Sequence, residues 1–267
     1  MNNLHRDLAP ISDAAWQEID EAVAQAFTST VACRRVVDVM DADATTAAIS
    51  TGHLRAVESP GGAVRARQRL AVPVVELRVE FELDRSDLDD VERGAQDGDW
   101  TAASDAAVAL GLAEDRAIVE GYPAAGITGV RETSRERTVP SPTEVTSYPD
   151  AVARALALLR DAGVAGRYAL LLGEEEWVRV TASTEHGLPV TEHLRRLLDG
   201  DVLPARALES PLVLSARGGD FALHLVQDVS VGFLSHTETT VRLYVEEAFT
   251  FLDYTAEAAV PFVARTT

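Results

Sequence analysis

The stretch VPVVELRVEFEL, residues 72–83, alternates apolar and charged side chains from Val75 to its end. In an extended strand, every second side chain points to the same face, so such a segment has one apolar face and one charged face. The apolar face holds Val75, Leu77, Val79, Phe81 and Leu83, and the charged face holds Glu76, Arg78, Glu80 and Glu82. The pattern predicts a β-strand with one buried face, which needs a sheet around it and a core beneath it.

The segment just before this strand, HLRAVESPGGAVRARQRL at 53–70, is expected to form a hairpin. Two strand-like halves flank the turn Pro60-Gly61-Gly62, where glycine permits a tight reversal of the backbone. The hairpin has too few apolar residues to build a core, and an isolated pair of strands is only marginally stable in water. It therefore needs another surface to lie on, and a solvated surface hairpin is the alternative.

The clearest helix signal lies near the N-terminus. Ser12 is a favourable N-cap residue, and apolar residues then recur every three or four positions. This stripe consists of Trp16, Ile19, Val23, Phe27 and Val31. An amphipathic helix with such a stripe packs it against a core or against a partner.

The remaining chain mixes helices with strands. The alanine-rich segment 101–121 is apolar around most of its circumference, which predicts a long helix buried on several sides. Shorter helices are expected at 149–163 and 189–200 because each begins at a proline and ends at a glycine. Runs typical of strands, rich in Val, Leu, Phe and Tyr, follow at 211–215, 221–226 and 241–252, with a turn at 217–220. The predicted fold class is α+β.

Composition and charge argue against several kinds of partner. The chain has 267 residues, of which 43 are acidic and 24 basic, so its formal net charge is −19. A phosphate backbone is bound mainly by clustered positive charge, so no nucleic-acid partner is expected. No apolar run approaches the length of a membrane span and no signal-like segment appears, so we expect no membrane partner and a cytoplasmic protein. The single cysteine, Cys33, is expected to be buried.

The polar residues do not form a recognisable catalytic unit. The six histidines are scattered without an HExxH pair, and no GxSxG, P-loop or dinucleotide-binding glycine pattern occurs. His186 and His193 lie on either side of Pro189, which disrupts the spacing that a shared metal ion would need. The glutamates at 174–176 are expected to form a solvated acidic turn. We therefore predict a protein that is not an enzyme and has no metal site.

Seven segments occur in the order and at the spacing of one protein family. They are RDLAPISDAAWQEID (6–20), RRVVDV (34–39), LDDVERG (88–94), EDRAIVEGYPAAGITGV (114–130), DAGVAGRYALLL (161–172), HLRRLLDGDVL (193–203) and the C-terminal segment at 217–258. On these segments, the chain resembles the shell proteins of family 1 encapsulins, the linocin-like group related to tailed-phage major capsid proteins. The resemblance covers nearly the whole chain, with 40–50 and 133–147 matching poorly.

The resemblance implies a tailed-phage major-capsid-like fold in a single protomer spanning 1–267. It implies an N-terminal amphipathic helix and a peripheral subdomain formed by 1–46, 78–134 and 219–258. The segment 47–77 corresponds to the extended hairpin loop, and 135–218 to an axial subdomain with a pore loop. The long helix predicted at 101–121 corresponds to the family's spine helix.

The function implied is that of a shell component. Copies of such a chain assemble into an icosahedral cage, a type 1 encapsulin nanocompartment, whose interior face binds a C-terminal targeting peptide of a cargo enzyme. The implied cargo is a dye-decolourising haem peroxidase, with a ferritin-like iron-storing protein as the alternative. Other readings are a prophage capsid protein, which shares the fold, and a bacteriocin or hydrolase. The acidic charge favours a protein cargo over packaged DNA.

The resemblance also assigns candidate site residues. The cargo-peptide site comprises Phe27, Val31, Arg34, Asp38, Val229, Val231 and Phe233. The pore at the fivefold vertex falls in the loop 181–190, at Glu185, His186 and Gly187. The extended loop reaches a neighbouring subunit, and the arginines suited to an acidic neighbour are Arg55, Arg65, Arg67 and Arg69.

One departure from the family concerns flavin. Some encapsulins stack a flavin on a tryptophan just before the segment that corresponds to LDDVERG, because an indole offers the ring a flat, polarizable face. Arg85 stands at that position, and Trp100 lies at the start of the long helix. We expect Trp100 to be a packing residue, and we expect no cofactor.

Overall fold

The computed structural model describes residues 3–185 and 187–264. Within these ranges the α-helices are α1 (Asp13–Thr30), α2 (Arg85–Glu92), α3 (Thr101–Val119), α4 (Val130–Thr133), α5 (Tyr148–Asp161), α6 (Glu174–Thr181) and α7 (Val190–Leu198). The first strands are β1 (Asp38–Asp41), β2 (Ala48–Val57), β3 (Ala66–Pro73), β4 (Val75–Asp84), β5 (Val139–Pro140) and β6 (Tyr168–Leu172). The later strands are β7 (Thr184–Glu185), β8 (Leu188–Pro189), β9 (Val202–Pro204), β10 (Leu212–Ser215), β11 (Phe221–His236), β12 (Thr240–Asp253) and β13 (Ala259–Val263).

The N-terminal helix α1 is confirmed with its predicted cap. The side-chain oxygen of Ser12 accepts a hydrogen bond from the backbone N–H of Ala15 at 3.3 Å, which satisfies one of the free donors of the first turn. The stripe residues on the helix, Trp16, Ile19, Val23 and Phe27, are all buried. Val31 follows the last helical residue and is buried in the same apolar cluster.

A mixed sheet in the order β1-β11-β12-β4 lies under α1 and α3. In β4 the alternation predicted from the sequence is confirmed, since Phe81 and Leu83 are buried and the charged residues at alternate positions of the strand face solvent. The strand begins at Val75 instead of residue 72, because Pro73 ends the preceding strand and Val74 bonds back to Ala47. This sheet and the two helices enclose one of the two apolar clusters of the protein's described residues.

Strand β11 continues ten residues beyond the predicted run at 221–226 and reaches His236. It pairs antiparallel with β12 along nearly its full length, with register shifts that bend the pair. Gly232 is required in this pairing, because a Cβ at that position would lie 2.1 Å from the Tyr244 ring. The large aromatic side chain therefore lies flat across the neighbouring strand.

A second sheet, in the order β5-β13-β10-β6-β9, forms the other half of the protein with α5, α6 and α7. The helix expected at 149–163 is α5, and its predicted inward residues Val152, Ala155, Leu156 and Leu159 are buried. Its stop is also confirmed, because Gly163 follows the helix with a φ of 78°, a left-handed conformation that favours glycine. Helix α7 confirms the segment expected at 189–200.

The predicted hairpin is formed by β2 and β3, which pair antiparallel from Ala48 opposite Pro73 to Val57 opposite Ala66. We call residues 48–73 the arm. Almost every residue from 52 to 69 is exposed, so the arm has no core of its own, as its composition predicted. Helices and strands together confirm the α+β class.

One segment differs from the expectation. The glutamates at 174–176 are not a free turn but the first turn of α6, where negative side chains interact favourably with the N-terminal end of the helix dipole. The segment LDDVERG lies in and just after α2. Across the residues that the structure describes, no helix is long and apolar enough to cross a membrane.

Candidate functional site

The structure brings most of the predicted cargo-peptide residues together. Phe27 and Val31 at the end of α1 share a buried cluster with Val231 and Phe233 of β11, and Val229 packs partly buried at its margin. Phe27 and Val231 are almost completely inaccessible, with 2% and 1% of their surface exposed. These two side chains therefore form the floor of the candidate site, while Val229 lies on its rim.

Arg34 lies over this apolar floor. Its guanidinium carbon is 4.7 Å from the centre of the Phe27 ring, a cation–π contact. Its Nε and Nη2 donate to the carboxylate of Glu114 at 2.9 and 2.6 Å. It also pairs with Asp228 at 2.7 Å and with Glu247 at 3.2 Å. We call Arg34, Glu114, Asp228 and Glu247 the Arg34 cluster.

The Arg34 cluster places more negative than positive charge in a buried position. The side chains of Glu114 and Glu247 are both 0% exposed, that of Arg34 is 16% exposed, and that of Asp228 is 60% exposed. Burial alone would lower the pKa of Arg34, but the hydrogen bonds and charges of Glu114 and Asp228 raise it above its usual value. Arg34 is therefore paired with acidic side chains of its own chain and is not a free cationic anchor for a peptide.

Glu247 has the most unusual environment in the cluster. Burial raises its pKa to about 10, and the negative charge of Glu114 and a hydrogen bond to Glu114 act in the same direction. Its Oε1 atom is buried without a hydrogen-bond partner among the described residues. A carboxyl group with a pKa this high keeps its proton near neutral pH, so Glu247 does not add a second negative charge beside Glu114.

Asp115 fixes the chain segment that leads into Arg34. Its carboxylate accepts hydrogen bonds from the backbone N–H groups of Ala32 and Cys33 at 2.8 and 2.9 Å. Burial raises the pKa of Asp115 to about 6, although these two hydrogen bonds oppose the shift. Cys33 is buried as predicted, and burial beside Asp115 raises the pKa of its thiol well above the usual value, which makes it unreactive.

Asp38 is not part of this group. It lies in β1 opposite Ala222 of β11, and its carboxylate accepts from the backbone N–H of Gly219 at 2.6 Å. Ala222 is six residues before Asp228 along the same strand, a separation of roughly 20 Å at the usual strand rise. The structure therefore gives Asp38 a local role, capping the turn at 217–220.

The sequence reasoning missed Glu114, Asp228 and Glu247. A signal for Glu247 was present, because it occupies an inward position in the alternating run Val241, Leu243, Val245, Glu247 and Phe249 of β12. Likewise, Glu114 lies in a helix that is apolar on most sides. A charged residue in an apolar register marks a buried polar partner, and that partner is Arg34.

The remaining candidates that the structure describes lie outside the Arg34 cluster. Glu185 pairs with Leu188 across the short hairpin of β7 and β8, and Gly187 has a φ of 80°, as a tight turn requires. His186 lies outside the described residues. The arm arginines, Arg55, Arg65, Arg67 and Arg69, are all exposed.

Trp100 and Arg85 are the two residues on which the expectation about flavin depends. Trp100 packs against the α1–α3 cluster at the start of α3, and its indole N–H donates to Glu18 at 3.0 Å, so it is a packing residue as predicted. Arg85 is the first residue of α2, and its backbone N–H donates to Thr239 at 2.8 Å. Among the described residues, no group of His, Cys, Asp and Glu side chains is arranged to hold a metal ion.

Comparison with known proteins identifies the family. The family profile Linocin_M18, described as "Encapsulating protein for peroxidase", matches residues 1–250. The chain belongs to this encapsulin family. A type 1 encapsulin shell protein of Rhodococcus erythropolis is 49% identical over 97% of this chain and 99% of its own length. One of Mycobacterium tuberculosis is 48% identical over 97% of this chain and 98% of its own.

Solved structures with little sequence identity share the fold. A virus-like particle from Pyrococcus furiosus has a TM-score of 0.65 at 16% identity, covering 93% of this chain and 99% of that chain. A structure titled Microbacterium phage Oxtober96 has a TM-score of 0.62 at 11% identity, covering 89% and 92%. The encapsulin therefore has a phage-capsid-like fold, and its relatives are named as shell proteins.

The Arg34 cluster predicts a large loss of stability for Arg34→Leu in this encapsulin. The substitution keeps an apolar contact with Phe27 but leaves Glu114 without its cation, and losing one partner of a buried pair typically costs about 3–5 kcal/mol. Thermal unfolding of the purified protein measures the effect. Arg242→Leu is the control, because its pair with Glu80 is exposed on both sides, and about 1 kcal/mol or less is expected there. Equal losses in the two variants would contradict the argument.

Because of Glu247, we expect the stability of the folded protein to fall as pH rises. Its pKa is about 10 in the folded protein and has an ordinary value of 4.5, so between these values the folded state holds a proton that the unfolded chain has lost. The free energy of unfolding therefore decreases with rising pH across this interval. Glu247→Gln, which mimics the protonated acid, should flatten this dependence and melt higher than the parent at about pH 9 but not at about pH 5.

Glu246→Gln is the matched control for that experiment. Glu246 is the adjacent buried acid, but its carboxylate accepts hydrogen bonds from Arg78 at 2.5 and 3.0 Å. The Glu246→Gln substitution should lower the melting temperature at both pH values. It should leave the difference in melting temperature between the two pH values unchanged. A Glu247→Gln protein with the parent's slope would contradict a proton held at this position.

Proposed function

We propose that this chain assembles into a closed icosahedral homo-oligomeric shell in the cytoplasm and encloses a cargo enzyme, a dye-decolourising peroxidase. The observation that carries the proposal is the family match over residues 1–250, whose description names encapsulation of a peroxidase. The exposed arm without a core supports assembly, because it becomes stable only on another surface. The net charge of −19 supports a protein cargo over DNA.

The proposed cargo-peptide site is the rim above Phe27 and Val231. Val229 is half-buried there, and Asp228 and the edge of the Arg34 guanidinium are the polar groups that reach its surface. A short peptide tail would place an apolar side chain against Val229 and order itself only on binding. Arg34→Glu and Val231→Asp do not test this site, because each would place an unpaired negative charge in the buried interior.

Val229→Asp tests the site, because it adds a charge at a half-buried rim position. A peroxidase from the same source organism, with its C-terminal tail intact, is co-expressed with the shell protein. We expect shells of unchanged size whose cargo content falls at least about tenfold, the effect of losing an anchor worth about 2 kcal/mol. Electron microscopy and the haem absorbance of purified shells provide the two measurements.

Val178→Asp is the matched control, because Val178 is an exposed valine on α6, in the other half of the protein. Its shells should be closed, free of nucleic acid and fully loaded. If the parent chain remains monomeric, the shell proposal is wrong. If Val229→Asp shells carry as much peroxidase as the control, the cargo site lies elsewhere.

We assign the pore at the fivefold vertex to the turn between β7 and β8. The hairpin is short, and Gly187 and Leu188 are exposed. An exposed two-strand loop of this kind can line an opening without contributing to a core. Glu185 and His186 remain predicted pore residues from the sequence.

The position of Arg85 predicts shells without flavin. Arg85 begins α2 where an indole would be needed for stacking, and Trp100 is held by Glu18 at the start of α3. Extensively washed shells should therefore lack the two-band flavin absorbance, while Arg85→Trp shells incubated with flavin mononucleotide should acquire it. Flavin at about one equivalent per subunit in the parent shells would contradict this assignment.

A further inference from the structure

An open cavity of about 350 Å³ lies between the turn that follows α4 and the last strand, β13. Its apolar part includes Phe262, which is buried, and Val263, which is 40% exposed at the rim. The polar side chains that line it are Arg131, Arg135, Thr138 and Ser210. None of the eight lining residues is acidic, in a chain whose net charge is −19. We call this the β13 cavity.

Strand pairing brings the walls of the β13 cavity together. Phe262 lies opposite Val139 of β5 in a parallel pair, which places Thr138 beside the end of β13. On the other side of β13, the backbone N–H of Phe262 donates to the carbonyl of Pro211 at 2.9 Å, which places Ser210 there. Three segments that are distant in sequence therefore form the cavity, and the hydrogen bonds of the sheet fix their spacing.

Arg131 is held at the cavity by two hydrogen bonds. Its Nε donates to Glu120 at 2.7 Å, and its Nη2 donates to the backbone carbonyl of Ser210. The side chain is only 15% exposed, and its Nη1 makes no hydrogen bond within the described part of the chain. A guanidinium that is already fixed loses little conformational freedom when it binds a further acceptor.

The other polar side chains of the cavity have unused hydrogen-bonding capacity. Across residues 3–185 and 187–264, Arg135 has no hydrogen-bond or ion-pair partner, and the hydroxyls of Thr138 and Ser210 make no hydrogen bond. Arg135 also borders a second cavity whose lining includes Glu132 and Glu136, but it pairs with neither. Polar groups without partners around an apolar cavity can fix the orientation of a small molecule.

The charges around the cavity indicate a singly charged anion. Two arginines and the one glutamate that pairs with them, Glu120, leave a net charge of +1. Guanidinium groups bind carboxylates through parallel N–H donors. A phosphate dianion would lose hydration against Phe262 and Val263 without a second net positive charge to compensate it. The volume is near the lower end of the range of about 300–1,000 Å³ for small-molecule sites, so the ligand is small.

We propose that the β13 cavity binds a small monocarboxylate with an apolar body, for which benzoate is the simplest probe. Arg135 and the Nη1 of Arg131 bind the carboxylate, and the two hydroxyls donate to it from either side of β13. The apolar body lies against Phe262 and is removed from water there. This site is separate from the Arg34 cluster, and it goes beyond the proposed shell function.

Saturation-transfer difference NMR of the purified full-length protein tests the site, because the method suits weak ligands of large proteins. Benzoate should bind saturably with a Kd of about 1 mM or lower. Benzamide has the same ring without the charge, and acetate has the charge without the ring, so both should bind at least about tenfold more weakly. Inorganic phosphate, measured by competition with benzoate, should also be weaker by that factor.

Two variants place the binding in this cavity. Arg135→Gln should weaken benzoate binding at least about tenfold and leave the melting temperature unchanged, because the side chain loses no partner within the protein. Val263→Asp adds a negative charge at the rim and should abolish binding. Arg93→Gln is the matched control, since it removes the same charge from a side chain that is 66% exposed after α2, and it should bind benzoate like the parent.

Several outcomes would overturn the proposal. A parent protein without saturable benzoate binding would do so, as would equal affinity for benzamide or tighter binding of phosphate. Equal benzoate affinity in Arg135→Gln and Arg93→Gln would show that Arg135 does not bind the carboxylate, or that only the overall charge matters. None of these results depends on shell formation, so a failure here is distinguishable from a failure of the proposed function.

Discussion

Two adjacent carboxylates of α3, Glu114 and Asp115, hold the first part of the chain in place. Asp115 accepts the backbone N–H groups of Ala32 and Cys33, and Glu114 binds the side chain of Arg34. Together they fix the segment that joins α1 to β1. Because the partners are 80 to 83 positions apart along the chain, these bonds form only when α3 and α1 have packed. They add to the apolar contacts that hold α1 over the sheet.

Burying these charged side chains costs free energy of folding, and part of that cost is offset within the Arg34 cluster. Two glutamates without exposed surface face a single arginine, and the cost is lowered because Glu247 keeps its proton. A buried charged group of this kind contributes less to stability than an apolar replacement can, but it permits fewer alternative packings. The cluster also lies directly beneath the rim where a cargo peptide is proposed to bind. The same arginine therefore joins the core of the subunit to its proposed binding surface.

The arm presents the opposite situation, since it is built without any internal support. Its two strands satisfy their own backbone hydrogen bonds, but they bury almost no apolar surface. In a soluble monomer such a hairpin would contribute little to stability. In the proposed shell, a neighbouring subunit would supply the missing contacts. This protein thus combines a two-sheet body that has its own apolar clusters with one arm that has none.

The sequence by itself determined the local elements whose periodicity is strong. The stripe from Trp16 to Phe27, the alternation in β4 and the glycine stop after α5 each depend on neighbours a few residues away, so composition and spacing were sufficient. The small number of apolar residues in the arm was equally visible in the sequence. Only the tertiary structure decided which polar residues meet. Arg34 finds Glu114, Asp228 and Glu247 from three other elements, and Asp38 leaves the group because the strand register carries it to Gly219. Such pairings depend on how distant segments pack, and no spacing along the chain encodes them.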